Sequence, residues 1–124
     1  MLVPIDPSLS NQRIRVRSML RELNFAVHRT GYRHLITAII RYTQDDGQSL
    51  SKELYPYVAR SFGYSDWRAV EHSIRTSICH GWSNRNPVIW NYYFPGLRRA
   101  PTNKQFIATL AEMLKEKPSH FWEG

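Results

Sequence analysis

The sequence predicts an all-α fold, a single domain that contains a helix-turn-helix. Three observations carry that expectation. Apolar residues recur at three- and four-residue steps in several separate stretches. Gly31, Asp45-Asp46-Gly47, Gly63 and Pro95-Gly96 punctuate those stretches with turn chemistry. No stretch shows the two-residue alternation of a half-buried strand.

The elements follow in order. Residues 1–12 hold Pro4, Pro7 and few apolar anchors, and are expected to form a flexible arm ahead of a domain spanning 13–117. From Ser10 to about Val27, Ile14, Met19, Leu20, Leu23 and Val27 mark one helix face, with Ser10 or Asn11 as its cap. Tyr32, Leu35, Ile36, Ile39 and Ile40 mark a second helix, stopped by the Asp-Asp-Gly turn. A third begins after Ser49 or Ser51, with Ser51 offered as cap and Glu53 in the first turn. Leu50, Leu54, Val58 and Phe62 form its apolar stripe, and Pro56 is tolerable only early in it. Gly63 closes that helix, and another starts almost at once, running from about Asp66 to Trp82 with Trp67, Val70, Ile74, Ile78 and Trp82 on one face. Pro87 to Phe94 reads as a short helix or a compact aromatic cap. Pro95 to Pro101 reads as a basic loop. Thr102 or Asn103 then caps a last helix, buried through Phe106, Ile107, Leu110, Ala111 and Leu114 and ended by Pro118. Residues 118–124 are left as a tail.

Composition narrows the function classes. With 42% hydrophobic and 22% charged residues, the 124-residue chain falls in the globular range. No apolar run approaches the roughly 20 residues of a membrane span, and the first residues lack the basic-then-apolar pattern of a signal peptide. Cys79 is the only cysteine, which excludes an internal disulfide and suits a reducing, cytoplasmic setting. Seventeen Lys and Arg against ten Asp and Glu give a formal charge of +7. Such a field gathers polyanions. Nucleic acid, an acidic protein or an anionic membrane would all answer to it.

The helix-turn-helix sharpens this. Leu54–Phe62 and Asp66–Trp82, joined by Gly63-Tyr64-Ser65, have the lengths and the turn that such a unit requires. Its first helix braces the second, which must show a polar face to the major groove. With the apolar stripe turned inward, Arg68, Glu71, His72, Arg75 and Thr76 fall on the other side. Arginine can bond two guanine acceptors at once, and glutamate can accept from cytosine. A solvated helix face looks much the same, however, and Glu71 and Arg75 also stand at ion-pair spacing.

Other chemistry finds little support. The five histidines and Cys79 show no metal-ligand spacing, no base is placed beside Cys79, and no glycine-rich phosphate loop is present. The expectation is no catalytic residue, no metal, no cofactor and no small-molecule substrate. Trp90 and Phe94 read as core beneath the fourth helix, whereas Phe121 and Trp122 read as tail residues open to a partner.

Five blocks occurring in one order then carry a resemblance: Gly31-Tyr32-Arg33-His34-Leu35, Leu54-Tyr55-Pro56-Tyr57-Val58-Ala59, Val70-Glu71-His72-Ser73-Ile74-Arg75, Trp82-Ser83, and Pro101-Thr102-Asn103-Lys104-Gln105-Phe106-Ile107-Ala108. From about Leu20 to Lys115 the chain closely resembles the C-terminal effector domain of the stage zero sporulation protein A family of response regulators. The resemblance implies six helices, with the third and fourth forming the helix-turn-helix, and a transcription regulator of sporulation type that binds double-stranded DNA. By motif, Glu71, His72 and Arg75 match the exposed recognition-helix positions, and Arg98 and Arg99 lie in a loop that contacts the backbone. Arg68, Glu71, His72, Arg75 and Thr76 are thus expected to read bases, and Arg60, Ser65, Arg98, Arg99 and Lys104 to hold phosphates. The resemblance also implies a homodimer on tandem sites.

Departures from the family pattern are visible as well. Gly63–Arg68 is one residue longer, the Pro95–Pro101 loop is shorter, and Ala69 and Thr76 replace a basic residue and a histidine. There is no room for a phosphorylatable receiver domain beside this one, so the chain reads as an excised effector or a free-standing relative. These departures sustain an alternative: an interaction domain that pairs with a full-length homologous regulator and modulates it without binding DNA.

Overall fold

The computed structural model describes residues 7–116. Among them are six α-helices: α1 (Pro7–Glu22), α2 (Thr30–Tyr42), α3 (Tyr55–Ser61), α4 (Arg68–Ser83), α5 (Pro87–Tyr93) and α6 (Asn103–Lys115). A π-helical turn, Leu50–Leu54, leads into α3, and the described residues contain no strand. The all-α expectation, with six helices, holds. The expected tail, with Phe121 and Trp122, lies outside the described residues.

Helix α1 begins at Pro7, inside the segment expected to be an arm. Proline fits a first turn because its missing N–H would have no partner there. The helix ends at Glu22, short of the expected Val27. Asn24 takes a left-handed conformation (φ 65°), its N–H donates to the Arg21 carbonyl, and the Phe25 N–H reaches back to the Leu20 carbonyl at 2.9 Å. This is a Schellman stop with asparagine in the glycine position. It turns Phe25 into the core and leaves Val27 65% exposed; Ile14, also expected inward, is 60% exposed.

Helix α2 is the hub, touching α1, α3, α4 and α6. Its Leu35, Ala38 and Ile39 are fully buried. It meets α4 at Gly31, where a Cβ would stand 2.3 Å from the Ser73 carbonyl oxygen and 2.1 Å from Ser77 Oγ. Only glycine allows that approach. The following Asp-Asp-Gly segment is the expected turn, with Asp45 Oδ1 accepting the Gly47 N–H at 3.1 Å.

Ser49, not Ser51, caps the third helical segment. Its hydroxyl accepts from the Lys52 N–H at 3.3 Å, while Glu53 accepts the Ser49 N–H at 2.8 Å. The chain then widens, with Leu54 N–H bonding the Ser49 carbonyl five residues back. This widened turn stands directly ahead of Pro56, whose ring and missing N–H would break a regular α-helical ladder.

The core joins all six helices. Trp90 is buried among Phe25, Phe94 and Phe106, with Trp82 edge-on at 5.6 Å, and its indole N–H donates to the Leu23 carbonyl. The core reading of Trp90 and Phe94 therefore holds, and α5 is a helix capped by Asn86. A capping box between Thr102 and Gln105 starts α6. At its other end the Arg15 guanidinium donates to the Met113 and Leu114 carbonyls at 2.9 and 2.7 Å, tying α1 to α6.

Candidate nucleic-acid interface

The turn between α3 and α4 is built by glycine. Gly63 sits at φ 74°, and the Tyr64 N–H bonds the Ala59 carbonyl at 2.8 Å, stopping α3. Asp66 Oδ1 then accepts the Arg68 N–H at 3.0 Å and opens α4. Val70, Ile74 and Ile78 are fully buried, and Trp67 stacks on Tyr55, which fixes the roll of α4 against α3.

A buried histidine adds a second lock. His34 of α2 touches Ser73 of α4 through Nδ1 and Tyr64 of the turn through Nε2, the latter at 3.0 Å. Ser73 Oγ donates to the Val70 carbonyl, so it accepts from His34 Nδ1–H, and the Tyr64 hydroxyl donates to Nε2. The neutral tautomer satisfies every partner. Burial holds the imidazole pKa below its ordinary value.

With that roll fixed, Arg68, Glu71, His72 and Thr76 are exposed, and Cys79 lies on the same outward side. Arg75 is only half-exposed, because its Nη1 donates to the Pro101 carbonyl at 2.7 Å. This anchors the α5–α6 loop to α4 and keeps Arg99, two residues before Pro101, within about 7 Å of chain reach. Arg68 pairs with Asp66 at 3.4 Å and lies over the Trp67 ring. Both of those contacts are at the surface, where an ion pair is worth only about 0.2–1 kcal/mol and yields readily to a phosphate.

Two clefts flank the outward face. One, of about 500 Å³, brings Glu71, His72 and Arg75 together with Asn103 and Lys104 at the start of α6 and Tyr55 at the start of α3. Within it Asn103 Nδ2 donates to the Tyr55 hydroxyl and the Glu71 carbonyl. Burial raises the Tyr55 pKa, partly offset by that hydrogen bond. The other cleft, of about 390 Å³, runs from His72 and Thr76 to His28, Arg29 and Thr30 at the start of α2. Both flanks therefore present a helix N-terminus, whose amides carry partial positive charge.

Among the expected phosphate ligands, Lys104 shares the first cleft with the α4 residues. Arg60, Ser65, Arg98 and Arg99 are exposed on α3, the turn and the α5–α6 loop, and line neither cleft. Sequence reasoning missed His28, Arg29 and Thr30; the signal was a basic pair directly before a helix start. It missed the His34–Ser73–Tyr64 link as well, which no local spacing reveals.

Residues 16–114 match the family described as Sporulation initiation factor Spo0A C terminal. The chain belongs to that family. The match runs from the middle of α1 to the last turn of α6, so it takes in the helix-turn-helix and both flanking clefts. The Spo0A C-terminal family comprises DNA-binding domains of sporulation regulators and is not an enzymatic one. No helix of the described residues is long and apolar enough to cross a membrane, and they hold no cluster of three or more potential metal ligands.

Proposed function

We propose that this chain binds double-stranded DNA sequence-specifically, with α4 in the major groove, and regulates transcription. The observation that supports this best is the open outward face of α4, held between two cationic helix N-termini. A groove about 12 Å wide accepts one helix. The sugar-phosphate strands on its two sides would then meet the starts of α2 and α6.

Glu71 and Arg75 read base edges in this reading. The bond to Pro101 leaves the rest of the Arg75 guanidinium free and holds its stem in place, so little side-chain freedom is lost on binding. His72 and Arg68 share base and phosphate contacts, and Thr76 meets a base edge at the α2 side. Arg60, Ser65, Arg98, Arg99 and Lys104 hold phosphates. A homodimer on tandem sites completes the proposal.

Fluorescence polarisation against a random duplex at 50 and 200 mM salt tests the reading. Four phosphate-neutralising cations predict a fall in affinity of about 100-fold over that range. Selection from a random duplex pool should then return a consensus. No binding at 50 mM salt would reject the proposal in favour of pairing with a homologous regulator.

A further inference from the structure

A second charged surface lies outside the α4 face and adjoins its α2-side cleft at Arg33 and Phe62. Arg13, Arg17 and Arg21 on α1 face Arg33 on α2 across a groove of about 490 Å³. All four are exposed, and among the described residues none makes an ion pair or a side-chain hydrogen bond. Among the described residues no acidic one lines the groove. Glu22, the carboxylate next to Arg21, is engaged by the Tyr93 hydroxyl instead. Between the arginines the groove shows exposed Val27 and half-buried Phe62, with buried Tyr32 and Ile36 and half-buried Thr37 completing the lining. No lining residue belongs to α4 or to its two flanking clefts.

We propose that this groove docks an acidic amphipathic helix of a partner protein. Charge and period argue for that occupant. Arginines at every fourth residue repeat at a rise of about 6 Å along α1. A helix carrying Asp or Glu at every fourth residue has the same repeat, so three opposite charges align in one register. Its apolar stripe then covers Val27 and Phe62, the helix-in-groove mode of recognition. A nucleic-acid backbone would satisfy the arginines but has nothing to set against Val27 and Phe62. Val27, 65% exposed in the free chain, is the residue whose burial separates the two occupants.

The test uses the full chain and an 18-residue synthetic helical peptide with Glu at every fourth position and Leu three residues after each Glu, so that both rows face the groove. A scrambled peptide of equal composition serves as control. In ¹H–¹⁵N spectra the peptide should shift Val27, Ile36 and Phe62 saturably, and the scrambled peptide should bind at least tenfold more weakly. The double variant Arg17→Glu/Arg21→Glu should weaken peptide binding at least tenfold, with its fold checked by circular dichroism, and Arg75→Ala should leave it unchanged. If the double variant does not fold, the wild-type shift map decides. Equal binding of the scrambled peptide, shifts centred on α4, or no saturable binding would each overturn the proposal. So would a random duplex that shifts the groove residues and displaces the peptide, which would make these arginines part of the DNA surface. The docking site stands or falls separately from DNA binding by α4.

Discussion

Replacing Gly31 by alanine tests whether the seat of α4 on α2 is as tight as the structure requires. The new Cβ would lie 2.3 Å from the Ser73 carbonyl oxygen, 2.1 Å from Ser77 Oγ and 2.9 Å from Ser77 Cβ. A comfortable contact needs about 3.4 Å or more, so the two helices must part by roughly 1 Å at this point. Rotating the Ser77 side chain relieves one clash, but the Ser73 carbonyl belongs to the α4 ladder and cannot turn away. Overpacking of this kind costs about 1–3 kcal/mol. Alanine's better helix propensity returns at most about 1 kcal/mol, and less at the second position of a helix. The expected net loss is about 1–2 kcal/mol, or a Tm lower by roughly 5–10 °C in a domain of this size. Urea unfolding followed by circular dichroism measures it. Adding Ser77→Ala should recover only part of the loss, because the carbonyl clash remains. An unchanged or raised Tm for Gly31→Ala would refute the argument, since it would mean α2 and α4 do not approach as described.

Arg75→Ala should cost about 1–3 kcal/mol on the selected duplex and relax base choice, whereas Arg99→Ala should weaken all duplexes alike and lower the salt slope by about 1; equal losses for Arg75→Ala on selected and random duplexes would reject its role in reading bases. His34 carries a pH prediction. Its folded pKa lies below the ordinary 6.5, so its contribution to stability is full above that pH and is lost as pH falls, by up to about 1.4 kcal/mol per unit until the folded pKa is reached; chemical denaturation between pH 7.5 and 5 should show this slope, and His34→Gln should remove it. Thr102→Ala breaks the capping box of α6 and should cost about 1 kcal/mol in urea unfolding, with no change in the denaturant slope.

Most of the fold was legible because its signals are local. The stripe of Val70, Ile74 and Ile78, the Asp45-Asp46-Gly47 turn and the Thr102 cap each act within one or two helical turns, and sequence displays such spacings directly. The errors fall where two local signals compete. Val27 continues the apolar period of α1, but Asn24 stops the helix first, since asparagine tolerates a left-handed backbone and period alone cannot foresee that. Ser51 is as good a cap by composition as Ser49, and Glu53 favours Ser49 only because the turn widens ahead of Pro56. A helix that begins at Pro7 likewise looks like the end of an arm until the first-turn exemption for proline is applied.

The candidate site was legible only in part, for a related reason. Helical geometry puts Arg68, Glu71, His72 and Thr76 on one face, and they are exposed there. The same geometry puts Arg75 at the edge of that face, but its partner, the Pro101 carbonyl, is 26 residues away. No spacing rule reaches so far. That bond changes the role proposed for Arg75: one of its donors is spent holding the α5–α6 loop, so under the proposed function the residue would be both a reader and the peg for the loop that carries Arg98 and Arg99. A substitution at Arg75 should therefore disturb the loop's phosphate contacts as well as the base contact. Lysine at this position separates the two effects, because it can still reach the Pro101 carbonyl but offers no planar fork to a guanine. Arg75→Lys should keep most of the random-duplex affinity and lose the preference for the selected sequence; if it loses both equally, Arg75 serves the loop alone.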